Sequence, residues 1–216
     1  MRRLREPANG LTHLAGALLA VAALAALLRL AADAGTARHV VAYAVFGVSL
    51  VALYTASALY HCLPLSARGV ARLRRLDHMM IYVLIAGTYT PVCLLALDGG
   101  WRWGLLGLSW GLACGGILLK LRWMHSPIWL STALYVLPAW AALAAAPMVL
   151  RTLPGGGLAW LVAGGLVYTL GALVYALGRP TLRPGVFEAH ALWHLCVLAG
   201  SACHVWAVAR YLTPLR

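Results

Sequence analysis

Five polar side chains in an otherwise oily sequence could do chemistry together: Ser57, His61, Asp77, His190 and His194. His190 and His194 lie four apart in HALWHLCVLAGSACH. On a helix such positions share one face with Cβ atoms ~5–6 Å apart, close enough to grip one metal ion. Three neutral imidazoles, with His61 as the third, plus an open position form the ligand set of a catalytic zinc whose fourth ligand is water. Zinc lowers the pKa of that water toward ~7 and so supplies a nucleophile at neutral pH. Asp77 could orient the water or accept its proton. Ser57, one turn before His61 in Ser-Ala-Leu-Tyr-His, shares its face and could support a ligand or a developing oxyanion. The plainer reading of HxxxH is an interhelical hydrogen-bonding pair, because polar side chains tie membrane helices together. Metal is favoured over that pair if His61 and Asp77 reach the same depth, since unpaired ionisable groups are costly inside a membrane.

Depth depends on the elements that carry these residues. The chain has 216 residues, of which 63% are hydrophobic and only 10% charged. Soluble domains are ~25% charged, so this composition predicts an integral membrane protein. A spanning helix needs ~20 apolar residues. The chain therefore accommodates an all-α bundle of seven spans as a single domain over 1–216, with no room for a separate soluble domain. The net charge of +12 does not point to nucleic acid. Its arginines fall in short loops between apolar runs, which reads as topology signal and contact with anionic lipid. Cys62, Cys93, Cys114, Cys196 and Cys203 lie in or beside apolar runs without CxxC spacing. They indicate neither a disulfide framework nor a thiolate metal site.

The spans are expected near 11–32, 40–61, 78–97, 103–122, 127–147, 157–178 and 188–210, with Pro and Gly punctuating the connections. The basic amino terminus followed by an apolar run imitates a signal peptide. Its apolar stretch, Leu11 to Ala32, is too long for a signal core of ~7–15 residues and is read as the first span. Most of the 17 basic residues fall on one side of this arrangement. They are Arg2, Arg3 and Arg5 at the amino terminus, Arg68, Arg72, Arg74 and Arg75 in the second loop, Lys120 and Arg122 in the fourth, and Arg179 and Arg183 in the sixth. The positive-inside rule then predicts a cytoplasmic amino terminus and an external carboxyl terminus. His61 at the end of span two, Asp77 at the opening of span three, and the pair His190 and His194 in span seven all come out at the cytoplasmic end. His204, ten residues past His194, lies about 15 Å deeper and is not a partner of that pair.

At these residues the chain resembles a known family. The stretches are Glu6 to His13, Gly47 to His61, Arg74 to Pro91, Gly164 to Tyr175 and His190 to His204. Their order and spacing resemble the hemolysin III family, the bacterial branch related to progestin and adiponectin receptors and, more distantly, to alkaline ceramidases. The resemblance implies seven helices in the bacterial cytoplasmic membrane and a zinc ion held by His61, His190 and His194 near the inner face. It places Asp77 beside the metal's water and a membrane lipid as substrate or ligand. Three functions follow as expectations: a zinc-dependent hydrolase of a lipid amide or ester, a receptor-like or regulatory protein with structural zinc, and a pore-forming cytolysin. Outside the core set, Glu6, Asn9 and His13 match the family's first-helix pattern on the zinc side, though helix capping and packing account for them equally well. His78 is expected at the interface, His39 and His125 in solvent, and His204 in a hydrogen bond within the bundle.

Overall fold

A computed structural model describes residues 4–215, so Arg2 and Arg3 of the charge pattern lie outside the described residues. The chain is all-helical. Its elements are α1 (Pro7–Ala34), α2 (Ala37–Cys62), α3 (Ala67–Ala96), α4 (Gly99–Arg122), α5 (Ile128–Trp140), a 3-10 segment (Ala141–Ala145), α6 (Ala146–Thr152), α7 (Gly155–Leu177), and α8 (Ala189–Ala207) with a π-helical end (Val208–Leu212). Among the described residues, seven helices are long and apolar enough to cross a membrane, with α5 through α6 forming one of them, Ile128–Thr152, and α8 with its π turn another, Ala189–Leu212. An apolar bilayer offers backbone groups no partners, and helices meet that demand internally.

Local chemistry sets the ends. Pro7 occupies the first turn of α1, where its missing N–H costs nothing, and Gly35 closes the helix at φ 70°, a left-handed conformation that suits glycine. Thr36 caps α2 by accepting from the His39 amide at 3.3 Å. The same hydroxyl contacts His39 Nδ1 at 2.6 Å, and the ring is 1% exposed. His39 is therefore a buried partner of the cap and not the solvated loop residue expected. His125 is exposed, as expected.

Helix α3 starts at Ala67, well before the span expected from 78. Ser66 caps it, and Arg68 to Arg75 are its first turns and not a loop. Hydropathy marks only where a helix meets lipid, and this one continues past that boundary. Asp77 consequently sits inside α3, 7% exposed, instead of opening it. The fifth span breaks at Pro138, and the 3-10 segment follows. The Tyr89 hydroxyl mends the break: it lies 2.8 Å from Pro138 O and 2.9 Å from Ala139 O and accepts from the Ala142 amide at 2.7 Å. Such repair is what permits a broken helix at membrane depth.

The helices pack chiefly in sequence order, α1 on α2, α2 on α3 and α3 on α4, while α8 touches α1 and α7 and closes the bundle. Tyr43, Phe46, Leu50 and Tyr54 of α2 are the centre of the core, together with Leu27, Cys93, Leu97 and Val208. Small residues allow the closest crossings. A Cβ on Gly87 of α3 would overlap Ser49 of α2, and one on Gly171 of α7 would overlap Cys196 and Trp193 of α8.

Candidate functional site

The site is assembled where the end of α2, the start of α8 and the first turns of α1 meet. His61 closes α2, and His190 and His194 occupy successive turns of α8. Their rings form a near-equilateral triangle, with centroids 5.0 Å apart for His61–His190, 5.0 Å for His61–His194 and 4.7 Å for His190–His194. One nitrogen from each ring lies within 4.8 Å of the others. Among the described residues, this is the group of donors that could hold a metal ion.

The hydrogen bonds around the triangle determine which nitrogen faces inward. His61 Nδ1 is 2.6 Å from Glu6 Oε2, and a carboxylate only accepts, so Nδ1 carries the proton. His61 Nε2 is then a lone-pair nitrogen, buried and without a partner. His194 Nδ1 lies 3.1 Å from the main-chain oxygen of Asn9 and 3.3 Å from Thr12 Oγ1. The carbonyl fixes that tautomer too and leaves Nε2 as the acceptor. A buried ring nitrogen grouped with two other imidazoles and with nothing to accept from is the arrangement a metal ligand presents. The carboxylate and carbonyl on the opposite nitrogens are the outer partners that orient metal-binding histidines. The donor set thus fits a zinc-type ion.

Glu6 is itself clamped. Its amide donates to His61 O at 2.9 Å, its Oε1 pairs with Arg5 at 2.6 Å, and its Oε2 accepts from Asn9 Nδ2 at 3.0 Å. Arg5 reaches on to Tyr60 O at 2.6 Å, with its guanidinium 4.4 Å from the Tyr60 ring. Partial burial alone would raise the Glu6 carboxyl. The hydrogen bonds from Asn9 and His61 and the charge of Arg5 outweigh it and hold the group below the ordinary carboxylate range. Glu6 precedes α1 without making a side-chain cap to it. The capping account of this residue is therefore replaced by a His61-orienting one. His13, one turn beyond Asn9 along α1, stacks on His194 at 3.6 Å and meets Tyr54 edge-on at 5.1 Å. The spacing Glu6, Asn9, His13 puts all three on one helical face, the signal in the sequence that could have assigned them to the site.

Beside the triangle a cavity of about 230 Å³ runs into the bundle. Ser57, Asp77, His190 and His194 line its polar end, and Ile81, Leu105, Val149 and Leu158 are among the apolar residues of the remainder. Ser57 Oγ is buried without a hydrogen-bond partner. His78 also lines the cavity, and its Nδ1 bonds to Arg74 O at 2.9 Å. The structure thus brings His61, His190 and His194 together in the triangle and places Ser57 and Asp77 with His190 and His194 on the wall of one cavity. It sets His204 apart, with Nδ1 bonded to Gly200 O at 2.8 Å inside α8, as expected.

Comparison with known proteins follows the same line. The model of the family described as Haemolysin-III related matches residues 1–205. The chain belongs to that family. It is 39% identical to Hemolysin-3 of Bacillus cereus over 209 residues, which is 97% of this chain and 92% of that protein. It is 38% identical to the Hemolysin-3 homolog of Bacillus subtilis (strain 168) over 206 residues, 95% of this chain and 93% of that one. A more distant likeness, 27% over 176 residues, joins it to the human Monocyte to macrophage differentiation factor, covering 78% of this chain and 69% of the relative. That relative carries the kinship to the progestin and adiponectin receptor family, so the resemblance seen in the sequence motifs is borne out.

Proposed function

We propose that this haemolysin-III-related protein is a zinc-dependent hydrolase of a lipid amide or ester. In this reading it works in the bacterial cytoplasmic membrane, with its amino terminus and metal site toward the cytoplasm. The observation that carries the reading is the buried, partnerless Nε2 of His61 in the triangle with His190 and His194, two histidines that also line a mostly apolar cavity. Zinc held there supplies Lewis acidity, polarising an acyl carbonyl and making water nucleophilic near neutral pH.

The chain's own residues do the rest. Glu6 and the Asn9 carbonyl keep the Nε2 atoms of His61 and His194 aimed inward. An Asp77 carboxylate oxygen is the proton acceptor for attacking water, and it returns that proton to the leaving amine or alcohol. Ser57 Oγ, on the cavity wall with Asp77, donates to the oxygen on which charge develops. The apolar cavity receives the hydrocarbon chain and keeps bulk water from the reacting carbonyl. A regulatory role with a structural ion would call for a fourth protein donor, and the convergent group contains the three histidines. A cytolytic pore, suggested by the relatives' names, would need polar residues along its whole length. The lining of this cavity is mostly apolar, from Ile81 and Leu105 to Leu158 and Leu161.

The test is direct. Zinc-loaded protein incubated with ceramides and phospholipids should release fatty acid measurable by mass spectrometry. His194→Ala should lose metal and turnover together, and Asp77→Asn should lose turnover while keeping metal. Stoichiometric zinc with no turnover on any lipid class would refute the hydrolase reading.

A further inference from the structure

The cavity has a second polar station, far from the histidine triangle. His204 lines it on α8, ten residues beyond His194 and so about 15 Å further along the helix. The ring is held in place on three sides. Its Nδ1 bonds to Gly200 O at 2.8 Å, and Tyr168 stacks on it at 5.3 Å. Gly164 of α7 leaves the space the ring fills, since a Cβ there would overlap it. The neighbouring hydroxyls satisfy one another: Tyr54 donates to Ser201 Oγ at 2.7 Å, and Tyr168 meets the same oxygen at 2.8 Å. His204 Nε2 has no such partner among the described residues.

The tautomer follows from the carbonyl. Gly200 O can only accept, so the proton is on Nδ1, and Nε2 presents a lone pair. An acceptor on a residue that lines a mostly apolar cavity is costly unless a ligand brings it a donor. A keto group or a plain methylene cannot do so. A hydroxyl can.

We infer that His204 Nε2 is a recognition point for a hydroxyl carried on the hydrocarbon chain of the cavity's ligand. The inference rests on the reading of the cavity as an acyl-chain site. With the head group at the histidine triangle, ~15 Å of extended chain corresponds to roughly a dozen carbons. The preferred ligand class is therefore a mid-chain hydroxy acyl lipid, and His204 is a specificity-determining residue remote from the reacting bond.

Binding tests this without any turnover. Trp140 and Trp193 line the cavity and can excite a bound fluorescent fatty acid, whose displacement is then followed in the detergent-purified full chain. The competitors are stearic, 3-hydroxystearic, 12-hydroxystearic and 12-oxostearic acids. One net hydrogen bond corresponds to a preference of about five-fold, expected for the 12-hydroxy acid over the other three. His204→Phe, which keeps an aromatic ring against Tyr168, should erase that preference, and His204→Gln should restore part of it. The positional series on the unaltered protein stands even where a variant does not fold. Equal displacement by all four acids would overturn the role of His204 while leaving the acyl-chain site intact. No displacement by any of them would overturn the acyl-chain site itself, and the inference with it.

Discussion

The two sides of the bundle are built differently. In the apolar stretches of α2 and α3, 56% of residues are buried, and in the α8 span 44%; in α4, the α5–α6 span and α7 the shares are 22%, 17% and 22%. The first group carries Ser57, His61, Asp77, His190 and His194. The second supplies much of the cavity's apolar wall, from Leu105 and Val136 to Leu158 and Leu161. Close packing fixes side chains to the precision that shared ligation needs. A peripheral wall, with much of its surface outside the bundle, can change the ligand it fits without disturbing that geometry.

This contrast can be broken or sharpened by substitution. The largest effect is expected at the triangle: His190→Ala should bring bound zinc to background by elemental analysis. Gly165→Leu in α7, which fills cavity space next to Trp140, should leave zinc at one per chain and weaken fatty-acid binding. Next comes Glu6→Gln, which keeps a hydrogen-bond acceptor but removes the charge that orients His61. Loss of such an outer partner typically lowers metal affinity by about 10–100-fold. Competition with a zinc chelator measures it, and unchanged affinity would separate Glu6 from the site. The smallest effects are in packing. Gly87→Ala, pressed against Ser49, should destabilise the chain by about 1–3 kcal/mol in thermal unfolding. Gly107→Ala, on an open face of α4, should change stability by under about 1 kcal/mol and toward gain. Equal costs at the two glycines would erase the distinction between the sides.

Much of this was readable from residues alone, for identifiable reasons. Seven spans follow from hydropathy, and charge placement brought His61, Asp77, His190 and His194 to one depth. Helical periodicity made the HxxxH pair a shared face. The partners of these histidines were less legible, because Glu6 meets His61 across 55 positions and Asn9 meets His194 across 185. No local pattern encodes such pairings. The start of α3 was misplaced because arginines in an interfacial helix look like those in a loop. His39 was misread because its burial arises from the Thr36 cap and from packing against Tyr43 at 5.7 Å.

The central claim is that one ion is held by two helices from the closely packed side, α2 and α8, and not by the HxxxH pair alone. Zinc content of purified His61→Ala, compared with the unaltered chain under identical loading, tests it most directly. The account predicts one zinc per chain in the unaltered protein and background in the variant. Zinc retained at full stoichiometry and affinity in His61→Ala would contradict it.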